Sequence, residues 1–223
     1  MSAAVVITTL NEVDGIRAIL PKLKREWADE WVIVDGNSTD GTIEEARKMG
    51  FRVVLQKNKG HGDAVIMGFN ETKSDYILFW GPDGNHEIEE IPRLIKKIKE
   101  GYDQVVVSRF GKTSVNQDAG SLDRFGNRLF TFLINVFFGG DISDALNLSR
   151  IITRESMLKL KLDAPGLEAT TQMSIRAFKK RHKIIEIMGN EGPRIGGKRK
   201  MRPLPTGAAI SLLIIKEFIF WKV

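Results

Sequence analysis

The residues best suited to chemistry by type and spacing lie in one stretch, Tyr76-Ile77-Leu78-Phe79-Trp80-Gly81-Pro82-Asp83-Gly84-Asn85. Its first five residues are apolar, aromatic or β-branched and read as a buried strand. Gly81 and Pro82 end that strand, and Asp83 and Asn85 then offer oxygens on short arms. A carboxylate and a carboxamide at the carboxyl end of a buried strand can present ligands to a metal or a phosphate. A plain turn uses the same residue types. Two other polar loops have similar character: Asp35 followed by Gly36-Asn37-Ser38-Thr39-Asp40-Gly41-Thr42, and Asn58-Lys59-Gly60-His61-Gly62-Asp63.

The elements that must position these loops alternate. Ala3 to Leu10 reads as a buried strand, and Asn11 is placed to cap a helix running to about Trp27, with Asp14 at the capping-box position. Strands follow at Trp31 to Asp35, Arg52 to Gln56, Tyr76 to Trp80 and Gln104 to Ser108. Helices lie between them: one opened by Glu44 and Glu45, one from the Gly60 loop to about Thr72, and one from about Glu87 to Glu100. This alternation predicts an α/β fold, Rossmann-like, with a mostly parallel sheet and helices on both faces. Right-handed crossovers then gather the loops of Asp35, Gly60 and Asp83 on one edge, where a nucleotide would sit.

The second half differs. Gly120 to Phe138 reads as a long helix with a heavy apolar face, stopped by Gly139-Gly140. Leu146 to Thr153 reads as a strand, Glu168 to Lys180 as an amphipathic helix, and Lys183 to Met188 as a strand. Gly189 to Pro205 is a basic loop, and Thr206 is placed to cap a last helix from Gly207 to Trp221. That helix, interrupted by Lys216 and Glu217, is shorter than the ~30 Å needed to cross a bilayer core. It either lies in a membrane interface, with Phe218, Phe220 and Trp221 in lipid, or packs on the core or a partner.

Formal net charge is +6 over 223 residues, which favours anionic partners. Cations concentrate at Lys179, Lys180, Arg181 and Lys183, and at Lys198, Arg199, Lys200 and Arg202; solvated faces give the same pattern. These cations are not interleaved with aromatics, so nucleic acid is not the expected partner. No G-x-G-x-x-G follows the first strand, which argues against hydride transfer. Cysteine is absent, so disulfides and zinc-thiolate sites are excluded and a reducing interior is expected. The amino terminus shows no secretory signal.

The motifs, taken in order, resemble family 2 glycosyltransferases. Val5 to Glu12 is similar to their VIIPTYNE opening, and Val34 to Thr42 to VDDGSTDGT. Asn58 to Ala64 is similar to NKGKGAA, and Gly81 to Asn85 with Glu90-Ile91-Pro92 falls at DADLQ…EIP. Asp144 and Arg194-Ile195-Gly196-Gly197-Lys198 resemble segments of the branch that makes dolichyl- or polyprenyl-phosphate sugars. The resemblance implies a type A glycosyltransferase fold that binds a UDP- or GDP-linked sugar together with Mg2+ or Mn2+. It implies nucleotide-sugar contacts from Thr9, Asn11, Glu12, Asp35, Gly60, Gly62 and Asp83, and metal ligands at Asp83 and Asn85. The pattern is broken where its first aspartate becomes Gly81, and Asp35 is followed by Gly36 where the family has a second aspartate.

What the resemblance implies for activity is inverting transfer of a sugar to a polyprenyl (dolichyl-type) phosphate. Arg194, Lys198, Arg199 and Arg124 are then candidates for acceptor phosphate, with Arg202 and Arg128 in support. Asp83, Asp144 and Arg194 are the catalytic candidates; Asp144 and Glu168 serve equally well as cap or turn residues. Residues 1–205 would form the catalytic domain, divided near residue 110 into donor and acceptor halves, with 206–223 an interfacial helix on the cytoplasmic face of a membrane. A soluble acceptor, or a degenerate sugar-nucleotide-binding subunit without turnover, stands as the alternative. A membrane-spanning partner or homo-oligomer is left open.

Overall fold

The structure, a computed structural model, describes residues 1–197 and 199–220; Lys198 and Trp221, both named above, lie outside the described residues. Seven strands form one sheet: β1 Ala3–Thr9, β2 Glu30–Asp35, β3 Arg52–Leu55, β4 Tyr76–Trp80, β5 Gln104–Ser108, β6 Arg150–Thr153 and β7 Ile184–Met188. Their spatial order is β3-β2-β1-β4-β6-β5-β7. Only β6 is antiparallel, set between β4 and β5. The helices are α1 Val13–Ile19, α2 Thr42–Lys48, α3 His61–Asn70, α4 Glu90–Ile98, α5 Ser121–Phe138, α6 Arg154–Leu160, α7 Ala169–Lys179 and α8 Pro203–Ile219.

The central strands are apolar on both faces because both faces are covered. Val5 and Ile7 of β1, with Leu78 and Trp80 of β4, pack against Ile16 of α1 and Ile91 and Leu94 of α4. Val6, Ile77 and Phe79 point the other way, onto Val65 of α3 and Met173 of α7. The period of two along each strand thus assigns alternate residues to two cores. Each such fully buried side chain contributes about 1.5–3 kcal/mol. A third cluster joins α5, α7 and α8 through Ile134, Ile175, Ile210, Leu213 and Ile214.

The strand order reverses between β1 and β4: the chain leaves β1 toward β2 on one side, while β4 pairs on the other. Loops leaving the carboxyl ends of β1 and β4 therefore diverge and open a crevice between them.

Several local expectations are corrected. The first helix ends at Ile19, because Pro21 starts a separate single turn, Leu20–Lys22. Asn11 does not cap it: its φ is 50°, and the N-cap is Glu12, without a side-chain cap bond. Residues 146–149 are not strand, and α6 follows β6 directly, its Thr153 cap accepting from the Ser156 amide. The last helix begins at Pro203, and its N-cap is Arg202 in place of Thr206. Proline fits the first turn, where its missing N–H leaves no bond unmade. Glu217 does not interrupt that helix. It is fully buried and bonded to Arg176 of α7, so α8 is seated on the body of the protein.

Candidate active site

The crevice at the ends of β1 and β4 is a cleft of about 720 Å3. One wall comes from β1 and its loop, with Thr9 and Glu12; a second is the Asn58-to-His61 turn into α3. The floor comes from the loop after β4, with Gly81, Asp83, Asn85 and His86, and from Arg109 just past β5. The loop after β7 closes over it with Arg194, Arg199 and Lys200, and Thr206 and Ile210 of α8 complete the rim beside Asp123 and Asn127 of α5.

Of the buried oxygens without a hydrogen-bond partner on residues lining this cleft, which include Asp123 Oδ1 and Thr171 Oγ1, two lie on the one loop after β4. Asp83 Oδ1 and Asn85 Oδ1 are both buried and have no hydrogen-bond partner. An acceptor left so costs about 1–3 kcal/mol, and a fold retains such a cost where a ligand removes it. Two oxygen acceptors two residues apart fit a hard divalent cation. Among the described residues no group of three His, Asp or Glu side chains could hold a metal. A cation here would therefore take its remaining ligands from water and from an anionic substrate.

The loop opposite is cationic and engaged. Arg194 Nη2 lies 3.1 Å from Glu12 Oε1 and 3.3 Å from Asp83 Oδ2, and Lys200 Nζ lies 3.2 Å from Glu12 Oε1. Burial raises the Glu12 carboxyl above its ordinary range, while Arg194 and Lys200 act against it. Arg199 reaches Asp123 on α5 at 2.6 Å. Three cations thus line the side of the cleft facing the unpaired oxygens.

Thr9, Glu12, Gly60, Asp83, Asn85, Arg194 and Arg199 accordingly meet in one cleft. Other predicted site residues do not line it. Asp35 is 0% exposed and turned inward, its oxygens accepting from Thr9 Oγ1, Ser38 N and Ser38 Oγ, each at 2.7 Å. Asn11 ties the β1 loop to the β2 loop, accepting from Thr39 N at 2.9 Å and donating its own amide to Ser38 Oγ at 2.7 Å. The glycines of the α3 turn make room for protein backbone. A Cβ on Gly60 (φ 117°) would stand 2.2 Å from Pro165 O, and one on Gly62 would stand 1.9 Å from Ala164 O.

Asp144, a catalytic candidate, turns away from the cleft. It is fully buried and grips Arg109 through two bonds, 2.7 and 3.1 Å, while Asn127 donates to it at 2.8 Å. Burial works to raise its carboxyl, but Arg109 and Asn127 outweigh burial and hold it below the ordinary range. Arg124 does not line the cleft, and its guanidinium donates to the Ala119 and Asn116 carbonyls. Glu168 accepts from the Gly166 amide in the turn before α7, at 3.0 Å.

Arg109, His86 and Glu191 are among the cleft residues that the sequence alone does not single out. Arg109 follows β5 at the same sheet edge as Asp83, and that position was the available signal. Asp144 and Glu191 overcome the effect of burial on its guanidinium and raise its pKa. His86 lies 3.2 Å from buried Glu90, which outweighs burial and raises the imidazole. Glu191 lies far along the chain in a loop without a motif. His61 opens α3 on the cleft wall, and burial pushes its imidazole down to about 4 against the pull of Glu168.

Residues 4–160 match glycosyl transferase family 2. The chain belongs to that family. A dolichyl-phosphate hexose transferase of Haloferax volcanii is 32% identical, over 96% of this chain and 92% of its own length. Glycosyltransferase AglJ of the same organism is 29% identical, over 97% of this chain and 72% of its own length. The dolichol-phosphate mannosyltransferase of Pyrococcus furiosus is 25% identical over 91% of this chain, which spans 60% of that protein. Among solved structures, glucosyl-3-phosphoglycerate synthase of Mycobacterium tuberculosis, in complex with Mn2+, UDP-glucose and phosphoglyceric acid, superposes with a TM-score of 0.76. It is 21% identical, over 97% of this chain and 79% of that one, and the likeness shows a type A glycosyltransferase fold.

Proposed function

We propose that this family 2 enzyme moves a hexose, with inversion, from a nucleotide-diphospho-sugar to a polyprenyl-type phosphate lipid at a membrane surface. The observation that carries the reading is the cleft itself. Two unpaired acceptor oxygens face a cationic loop, and the rim opens between the amino ends of two helices that leave apolar faces uncovered. Thr9, Glu12 and the Gly60 turn hold the nucleoside, with Asn11, Asp35 and Gly62 fixing those loops from behind. Asp83 and Asn85 would hold Mg2+ or Mn2+. When bound, the cation neutralises charge gathering on the departing diphosphate.

The acceptor phosphate is already anionic at neutral pH, so its oxygen attacks the anomeric carbon without a general base. A new carbon–oxygen bond forms on one face as the bond to the diphosphate breaks on the other, and the nucleoside diphosphate leaves as the anion. That balance needs no proton, which accords with Asp144 being spent on Arg109. What the step does need is cationic charge between two anions. Arg194, Arg199 and Lys200 supply it from the closing loop, and Lys198 of the same loop is proposed with them.

The lipid reading draws on exposed side chains beside the rim. Leu122, Phe125, Leu129 and Phe132 of α5, with Leu212, Ile215 and Ile219 of α8, leave a broad apolar surface. Among the described residues no helix is long and apolar enough to cross a membrane, so α5 and α8 would lie along the surface. Relatives named as dolichyl-phosphate hexose transferase and undecaprenyl-phosphate 4-deoxy-4-formamido-L-arabinose transferase support the same acceptor class.

The test is a screen of UDP- and GDP-sugars with Mn2+, each offered a short polyprenyl phosphate or a water-soluble phosphate, with products read by mass. The expected product is a glycosyl-phosphopolyprenol. Transfer to the soluble phosphate alone would overturn the lipid part of the reading. Binding of nucleotide with no transfer to either acceptor would point instead to a subunit without turnover.

A further inference from the structure

We propose that Glu191 is a positioning residue that aims the carboxamide oxygen of Asn85 at the bound cation; the proposal rests on the metal-nucleotide reading above. The main chain brings the two together first. The Glu191 amide donates to Val115 O at 2.9 Å, Gln117 N donates to Glu191 O at 2.7 Å, and Gly192 N donates to Asn85 O at 2.8 Å. Three segments distant in sequence are thereby stitched around one residue, and Glu191 is 4% exposed.

The side chains then leave one arrangement. Glu191 Oε1 accepts from Asn85 Nδ2 at 3.0 Å and from Arg109 Nη1 at 3.4 Å, and Oε2 accepts from Asn116 Nδ2. A carboxylate only accepts, whereas a carboxamide has one donating and one accepting end. Glu191 therefore takes the amino end of Asn85. Turning that amide over would set two oxygens against each other, so Oδ1 is left as the free end. It is the same Oδ1 that is buried without a partner, on a side chain lining the cleft beside Asp83.

Glu191 is not itself a ligand in this arrangement. Asn85, Asn116 and Arg109 occupy both of its oxygens. Its effect on a cation is exerted through Asn85, as partners that orient metal ligands do elsewhere. Where the family pattern has lost one carboxylate at Gly81, the orientation of the remaining weak ligand carries more of the site.

The experiment is calorimetric titration with UDP and with GDP, with and without Mn2+, on wild type, Glu191→Ala, Asn85→Ala, their double variant, and Glu191→Gln. Glu191→Ala is expected to lose about 10- to 100-fold in Mn2+-dependent affinity while nucleotide affinity without Mn2+ stays within about threefold. The double variant should lose no more than Asn85→Ala alone, because both changes remove one ligand. Glu191→Gln keeps the volume and one accepting oxygen, so it should recover most of the loss. Asn85→Asp combined with Glu191→Gln should bind Mn2+ more tightly than Asn85→Asp alone, where two carboxylates face each other.

Losses that multiply in the double variant would overturn the proposal. So would an unchanged Mn2+ effect in Glu191→Ala, or equal weakening with and without Mn2+ alongside a lowered melting temperature. If wild type shows no Mn2+ effect with either nucleotide, the metal-nucleotide reading has failed first and the proposal falls with it.

Discussion

Replacing Glu217 by alanine should loosen α8 from the body and uncouple the proposed transfer to lipid from donor binding. Glu217 is 0% exposed and accepts from Arg176 Nε at 2.8 Å and Gln172 Nε2 at 3.0 Å. Breaking one side of a buried ion pair costs about 3–5 kcal/mol, mostly because the other charge is left behind. Arg176 would keep Asp163 at 2.6 Å and the carbonyls of Leu160 and Lys161, which places the cost at the low end, about 3 kcal/mol. For a chain of this size that corresponds to a fall of about 6–12 °C in melting temperature. Thermal and urea unfolding followed by circular dichroism would measure it. Arg176→Met combined with Glu217→Leu should regain most of the loss, since neither member of that pair is then left without the other, although Lys179 also loses its contact with the Glu217 carboxylate. Thr206 and Ile210 of α8 form part of the cleft rim, so Glu217→Ala should lose transfer to polyprenyl phosphate while still binding nucleotide. A cost below about 1 kcal/mol, or a further fall in the double variant, would refute the claim that this pair anchors the helix.

Gly81→Asp should tighten Mn2+ binding in the presence of UDP or GDP by about tenfold, by adding a carboxylate to the ligand set. A Cβ at Gly81 has only Asp83 Oδ1 within 4 Å, at 3.9 Å, so the side chain has room; unchanged affinity by titration would show that it does not reach the cation. Arg194→Met should free Asp83, tightening Mn2+ binding by about 1 kcal/mol for a partly exposed pair while transfer falls at least about 100-fold. Weaker Mn2+ binding in that variant would show that Arg194 does not compete with the cation. His61 has a folded pKa near 4, below its unfolded value near 6.5, so the unfolded chain binds more protons between those values. Its contribution to stability is complete above about pH 6.5 and is lost as pH falls toward 4. His61→Gln should flatten that part of a urea-midpoint-versus-pH curve, and an unchanged slope would assign the acid sensitivity to other groups.

Much of the fold was legible because its strands announce themselves. Tyr76–Trp80 is an uninterrupted run of apolar and aromatic residues, Gln104–Ser108 holds three valines in a row, both have polar breaks behind them, and they form β4 and β5 with those bounds. The antiparallel insertion of β6 between them was not legible, since direction and order of pairing come from long-range packing that no local pattern records. The end of α1 was legible in principle from Pro21.

At the site, residue type and spacing identified the loops but not which way each side chain turns. Asp83 and Arg194 face the cleft, whereas Asp35 and Asp144, with the same chemistry, turn inward to meet backbone amides, hydroxyls and an arginine. A buried carboxylate has to be satisfied by something, and which partner does so is decided by elements distant in sequence. Glu191 was invisible for the same reason: its importance comes from Asn85, Asn116 and Arg109 arriving around it.

Asp83 and Asn85 are proposed to make a divalent-cation site completed by a nucleoside diphosphate. Electron paramagnetic resonance of Mn2+ titrated into the protein with UDP or GDP tests it most directly. The expected result is one bound Mn2+ per chain that requires the nucleotide, weakened in Asn85→Ala and lost in Asp83→Ala. Nucleotide-dependent Mn2+ binding that survives in Asp83→Ala would contradict it.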